Sequence, residues 1–127
     1  MKYILLILTL LLTSLTIACA SDTSATYQKI SQTEAYEIMQ QQSGYIILDV
    51  RTLDEYQEGH IKNAKLWPLQ NIPQDIDKVL KDKNQLILIY CRSGNRSKQA
   101  AVKLVEAGFK NVKEFGGIIE WKYEVEK

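Results

Sequence analysis

Two residue types that carry much of thiol and metal chemistry are nearly missing from this 127-residue chain. Cysteine occurs twice, at Cys19 and Cys91, and histidine once, at His60. Ligands this sparse cannot assemble a usual zinc set, and no metal or organic cofactor is expected. Excess charge of either sign is missing too: 16 Lys+Arg stand against 15 Asp+Glu. A balanced chain has no bulk attraction to nucleic acid or anionic lipid, so no nucleic-acid partner is expected. Any cationic site must therefore be local. The chain also has no internal repeat and no low-complexity segment.

A full membrane span is absent as well. The apolar stretch Ile4 to Ile17, broken by Thr9, Thr13, Ser14 and Thr16, follows Met1-Lys2-Tyr3. It falls short of the about 20 residues of a span and suits the apolar region of a secretory signal. Residues 1–20 are read as an export signal, 21–26 as a short tether and 27–127 as one compact domain. Two endings of the signal stay open. Ala18-Cys19-Ala20 has the small-x-small form, with a cut before Ser21. Leu15-Thr16-Ile17-Ala18-Cys19 resembles the lipobox of bacterial lipoproteins, which would make Cys19 the lipidated residue. The second is preferred, because a cysteine there is otherwise an odd choice; an uncleaved anchor helix is the third reading. The expected location is periplasmic or lipid-anchored in a bacterial envelope, with membrane contact only through that anchor. Cys91 is then a lone thiol without an internal disulfide partner.

Within 27–127, strand-like and helix-like segments alternate. Tyr27–Ile30 reads as a first strand, and Ser31 or Thr33 caps a helix with Ala35, Ile38 and Met39 inward, ended by Gly44. Tyr45–Val50 is nearly all apolar, the pattern of a strand covered on both faces. Thr52–Glu58 predicts a short helix stopped by Gly59, and Ala64–Trp67 a short strand. A helix is expected from Ile72-Pro73, with Ile76, Val79 and Leu80 as its inner face and a solvated lysine face over Lys78 to Lys83. Gln85–Tyr90 is a second buried strand. A helix from Lys98 to Ala107 follows, with Ala101, Leu104 and Val105 inward and Gly108 as its C-cap. Asn111–Phe115 makes a last strand, Gly116-Gly117 a turn, and Ile118–Tyr123 a closing helical piece. The expected fold is α/β: a mainly parallel sheet of about five strands with helices on both faces.

Cys91 stands where such a sheet gathers its chemistry, beyond the carboxyl end of a central strand. The loop Arg92-Ser93-Gly94-Asn95-Arg96-Ser97 leads straight into a helix. Strand, loop and helix in that order aim backbone N–H groups and the positive end of a helix dipole at the loop's centre. A thiol there, with two arginines in the five positions after it, should ionise readily and act as a nucleophile. The competing reading is a buried structural cysteine at a strand end. The arginines argue against it, since structural cysteines keep apolar company.

Three segments resemble the rhodanese family of sulfurtransferases. Leu48-Asp49-Val50-Arg51 with Glu55-Tyr56 and Gly59-His60-Ile61 resembles its first signature. Cys91-Arg92-Ser93-Gly94-Asn95-Arg96-Ser97 resembles its active-site loop, and Phe115-Gly116-Gly117 with Trp121 its C-terminal signature. Lys62-Asn63 departs from the proline and glycine usual before Ala64. The resemblance implies a rhodanese-like domain over 27–127 whose Cys91 takes sulfane sulfur from thiosulfate or a persulfide. As a Cys91 persulfide it would pass that sulfur to cyanide or a thiol. Backbone N–H groups of Cys91 to Arg96 would hold the anionic sulfur, and Arg92 and Arg96 would orient an anionic donor. Ser93, Asn95 and Ser97 would cap the next helix or donate to substrate, with capping the expected job of Ser97. Such loops in single-domain members leave the site shallow and open.

Related phosphatases and arsenate reductases carry a longer loop, cysteine plus five residues and then arginine. Here Arg96 comes one position too early, and Ser97 stands where the anion clamp would be. Two other classes stay open: a persulfide carrier without fast turnover on small donors, and a thiol-redox sensor. Asp49 and Arg51 are expected to support the site from behind, with Arg51 and Glu55 suited to a local ion pair. His60 is expected in a structural turn, and Trp67 and Trp121 in packing.

Overall fold

The computed structural model describes residues 26–127. The proposed export segment and Cys19 lie outside the described residues. Seven short strands and four helices follow in order: β1 (Gln28–Lys29), α1 (Gln32–Gln41), β2 (Ile46–Asp49), α2 (Leu53–Glu58), β3 (His60–Ile61) and β4 (Lys65–Leu66). After these come α3 (Ile76–Val79), β5 (Ile87–Cys91), α4 (Asn95–Glu106), β6 (Val112–Gly117) and β7 (Val125–Glu126), with 3-10 turns at Leu69–Asn71 and Ile118–Glu120. Five strands form one parallel sheet in the order β1-β6-β5-β2-β4. The expected α/β fold is the observed one.

Side-chain alternation along the strands divides two cores. On one face Leu48, Ile87, Ile89, Cys91 and Val112 meet Ala100, Ala101 and Leu104 of α4, with Ile72, Ile76 and Leu80. On the other, Ile47, Leu88, Tyr90 and Phe115 meet Ile30 and Ala35, with Trp121 packed against them. Ile87, Leu88 and Ile89 are fully buried. Each contributes about 1.5–3 kcal/mol by removal from water, which makes β5 the anchor of the sheet.

Helix ends follow local chemistry. Ser31, not Thr33, caps α1 by accepting from the Glu34 amide at 3.0 Å. Thr52 and Glu55 form a reciprocal capping box at the start of α2. Gly108, at φ 98°, follows α4 in the left-handed region and closes it, with its amide on Val105 O and that of Phe109 on Leu104 O.

Four expectations are corrected. No helix starts at Pro73: the Ile72–Pro73 peptide is cis and α3 is a single turn from Ile76. Val79 is 56% exposed, because Ile72, Ile76 and Leu80 recur every fourth residue and take the inner positions. Of the lysines, Lys78 pairs with Asp75 at 2.7 Å, while Lys83 lies past α3, paired with Asp77 and 4.1 Å over the Phe109 ring. The closing helical piece is only the turn Ile118–Glu120. The chain then extends and pairs β7 with β3 antiparallel, His60 opposite Glu126. Asn63 takes φ 68°, a left-handed turn position that asparagine tolerates.

Candidate active site

The parallel sheet brings Asp49 and Cys91 to the carboxyl ends of adjacent strands β2 and β5. Cys91 is the last residue of β5, and α4 begins at Asn95 rather than Lys98. Only Arg92-Ser93-Gly94 separate strand from helix, so the first turn of α4 lies against the sulfur. Gly94 makes this turn with φ 104°, a conformation side-chain-bearing residues rarely adopt.

Donors converge on Cys91 Sγ. The Gly94 amide donates at 3.0 Å, and Ser97 Oγ lies 3.3 Å away. Burial by itself would raise the thiol's pKa. The Ser97 side chain and the amides of Ser97, Gly94 and Ser93 outweigh it and bring the pKa below the ordinary thiol value. The shallow, open thiol expected from sequence is corrected: Cys91 is 1% exposed and enclosed by its loop. Such burial is what a structural cysteine shows, but a structural cysteine would not collect these donors. Open space lies beside the loop instead. A groove of about 820 Å³ runs along Ser93, Gly94 and Lys98, past Gly116 and Gly117, to Ser31–Thr33.

The two loop arginines differ. Arg92 is exposed, and its carbonyl accepts from the Ile119 amide at 3.3 Å. Arg96 is forked onto Glu55 of α2, Nη1 to Oε1 at 2.6 Å and Nη2 to Oε2 at 2.9 Å. The Glu55 carboxyl is drawn down to about 2, chiefly by Arg96, against burial and with help from the Thr52 amide. Arg96 thus meets a protein carboxylate where a donor anion was expected. The anticipated Arg51–Glu55 pair does not form. Arg51 turns inward onto the buried Asp49 at 2.7 Å and onto the half-buried Gly59 O at 2.7 Å.

Asp49 also accepts from the Tyr90 hydroxyl at 2.5 Å, whose oxygen in turn accepts from the Ile61 amide. Burial first, then the Asp49 charge and hydrogen bond, hold the Tyr90 phenol protonated far above its ordinary range. Asp49, Arg51 and Tyr90 form a buried brace behind the loop, away from Sγ. His60 stacks on Tyr56 at 3.6 Å with Nδ1 2.8 Å from Tyr56 O, a structural placement. Trp67 donates through Nε1 to Asn71 O, and Trp121 joins the Tyr36–Tyr123 stack.

Ser97 is not a helix cap. It is fully buried in the first turn of α4, where Oγ reaches Cys91, Gly94 O at 3.1 Å and Glu114 Oε1 at 2.7 Å. Asn95, at the first position of α4, is exposed, and its carbonyl accepts from Gln99. Glu114 escaped sequence reasoning. It lies on the β6 face that Val112 shares with Cys91, fully buried, and Oε1 also accepts from the Gly116 amide at 2.8 Å. A signal was present: an acidic residue in an otherwise apolar strand position two residues before Gly116-Gly117. Gly117 was read as part of a turn but ends β6, and a Cβ there would stand 2.0 Å from Arg92 O. The loop rests directly on that glycine.

The rhodanese-like domain family matches residues 31–124. Thiosulfate sulfurtransferase GlpE of Coxiella burnetii is 38% identical over 97 residues, covering 76% of this chain and 88% of that protein. Thiosulfate sulfurtransferase PspE of Escherichia coli is 35% identical over 71 residues, covering 56% of this chain and 68% of that protein. Among solved structures, a rhodanese with anions from E. coli aligns with a TM-score of 0.62 at 31% identity, over 65% of this chain and 98% of that one. A rhodanese-like domain protein of Staphylococcus aureus aligns at 0.67 and 32% identity, over 76% and 93%. Likeness in sequence and in fold thus converge on one family over nearly the whole described chain: the protein belongs to the rhodanese-like domain family and is a rhodanese-type sulfurtransferase.

Proposed function

We propose that this chain moves sulfane sulfur through a persulfide on Cys91. The Cys91 thiolate attacks the outer sulfur of thiosulfate. The new S–S bond forms as the old one breaks, and sulfite leaves with the bonding pair. The outer sulfur of the persulfide is then taken by cyanide or a thiol, which returns the thiolate. One observation carries the reading: the Gly94 amide and the Ser97 hydroxyl are both within hydrogen-bond reach of Sγ, and the thiol's pKa is lowered despite burial. The same donors offset the negative charge that sulfur keeps at every step, which is where electrostatic catalysis acts. An enclosed thiol favours slim donors such as thiosulfate or a persulfide over bulky ones.

Arg92 is the residue proposed to draw in an anionic donor, since Arg96 is engaged by Glu55. Ser93, Gly94, Asn95, Arg96 and Ser97 supply the loop's shape and donors. The burial of Cys91 makes an oxidation sensor a poorer fit than a sulfur carrier. Steady-state kinetics with thiosulfate and with a persulfide donor, on the wild type and Cys91→Ser, test this reading. Activity should vanish in the variant, and the wild type should gain the mass of one sulfur atom at Cys91. Turnover that survives in Cys91→Ser would overturn it. The N-terminal segment supports a location in a bacterial envelope, with Cys19 lipidated. Fractionation of wild type and Cys19→Ala tests that part, and a wild type free of membranes would end it.

A further inference from the structure

A buried carboxyl has been left next to a sulfur that must be anionic. Glu114 and Cys91 are both shut off from solvent, and Ser97 Oγ lies between them, 3.3 Å from Sγ and 2.7 Å from Glu114 Oε1. Two full negative charges so close and so dry would repel strongly. The partner list of Glu114 points the same way. Oε1 takes hydrogen bonds from Ser97 and the Gly116 amide, whereas Oε2 is buried with no partner at all. An unpartnered oxygen is costly on a carboxylate and much less so on a neutral carboxyl.

We propose that Glu114 is the proton-holding partner of Cys91, connected to it through the Ser97 hydroxyl. The Cys91 S–H bond breaks as a new O–H bond forms at Ser97 Oγ. The original Ser97 O–H bond breaks as one forms at Glu114 Oε1. Nothing is oxidised or lost; one negative charge moves from the carboxylate to sulfur. Ser97, carrying the proton from the sulfur side, then donates to the thiolate. Glu114 acts through Ser97 and is a positioning residue that keeps the nucleophile's proton in store. The proposal rests on the reading of Cys91 as the sulfur-transfer nucleophile and supplies its proton balance.

Other charges surround the pair. Arg96 of α4 acts on Cys91 while gripped by Glu55, and Arg51, beyond β2, is held by Asp49. Exposed Arg92 follows Cys91 in the loop. Lys29, Lys98, Glu120 and Lys122 border the groove beside Glu114. None of these approaches Ser97 Oγ as closely as Glu114 does.

The test is the pH dependence of iodoacetamide alkylation at Cys91, followed by peptide mass so that Cys19 does not interfere. Two groups sharing one proton titrate as a pair. The wild-type rate should therefore rise in two steps, the first carrying part of the thiolate and the second the remainder. Glu114→Gln keeps an acceptor for Ser97 and Gly116 but cannot hold the proton. Its profile should collapse to one step, complete at lower pH than the wild type's second. Ser97→Ala should likewise lose the two-step form. A single step in the wild type, or two steps kept in Glu114→Gln, would overturn the proposal. If neither variant folds, the wild-type profile alone decides. A purely structural Glu114 would change stability without changing the number of steps. Sulfur loading from thiosulfate, measured on the same samples, separates the two readings: a two-step thiol that never takes up sulfur would sink the transferase mechanism and leave the relay standing.

Discussion

Glu55 holds Arg96 in a two-pronged grip, 2.6 and 2.9 Å, that ties the first turn of α2 to the first turn of α4. The same Glu55 Oε1 accepts from the Thr52 amide, so one carboxylate caps α2 and clamps the active-site loop. Glu55→Gln should release Arg96 toward the donor and lower KM for thiosulfate severalfold. It should also cost stability. The Glu55 carboxyl is depressed to about 2 when folded, so its contribution is complete above its unfolded value and disappears as pH falls through about 2. On the order of 2 kcal/mol is expected at neutral pH, after allowing for its partial exposure. Urea unfolding of wild type and variant across that range checks both sign and size.

Arg92 leaves its charge in solvent beside the loop. Arg92→Ala should raise KM for thiosulfate several-fold, leave kcat nearly unchanged and weaken the salt dependence of kcat/KM. An unaltered KM would remove Arg92 from donor binding.

Gly117 is required by contact, not by backbone conformation. Its φ of −129° is open to any residue, but an added Cβ would meet Arg92 O at 2.0 Å and Ser93 Cα at 2.6 Å. Gly117→Ala should displace the loop, cost about 2 kcal/mol or more and abolish most activity. Thermal unfolding and single-turnover sulfur loading would register the two effects separately.

Tyr90 stitches β5 to both Asp49 and the Ile61 amide. Tyr90→Phe leaves that buried amide without its acceptor and should destabilise by about 1–3 kcal/mol. The thiol is on the opposite face of β5, so the alkylation profile of Cys91 should barely move.

The legible parts of this molecule were those written in contiguous residues. Apolar runs at Tyr45–Val50 and Gln85–Tyr90 predict covered strands, and β5 is the central strand of the five with β2 as its interior neighbour. The loop after Cys91 announces its chemistry by residue type and order. What escaped were pairings between distant segments. β3 and β7 are two residues each, too short for any periodicity, and exist because His60–Ile61 and Val125–Glu126 meet across the fold. The Arg51 pairing escaped for a different reason: Arg51 took Asp49, two residues away, over Glu55, four residues away, because its side chain turns inward, where a buried carboxylate holds it.

By itself, then, the sequence determined the α/β alternation, the place of Cys91 at a strand's end and the family to which the chain belongs. Each of these depends on short-range order: burial pattern, turn residues and motif spacing. Tertiary structure alone decided that Arg96 faces Glu55, that Ser97 bridges sulfur and carboxyl rather than capping a helix, and that Glu114 is inside the site. The Arg96–Glu55 and Ser97–Glu114 contacts join residues 41 and 17 positions apart, and their strength comes from exclusion of water, which only the packed sheet and helices create.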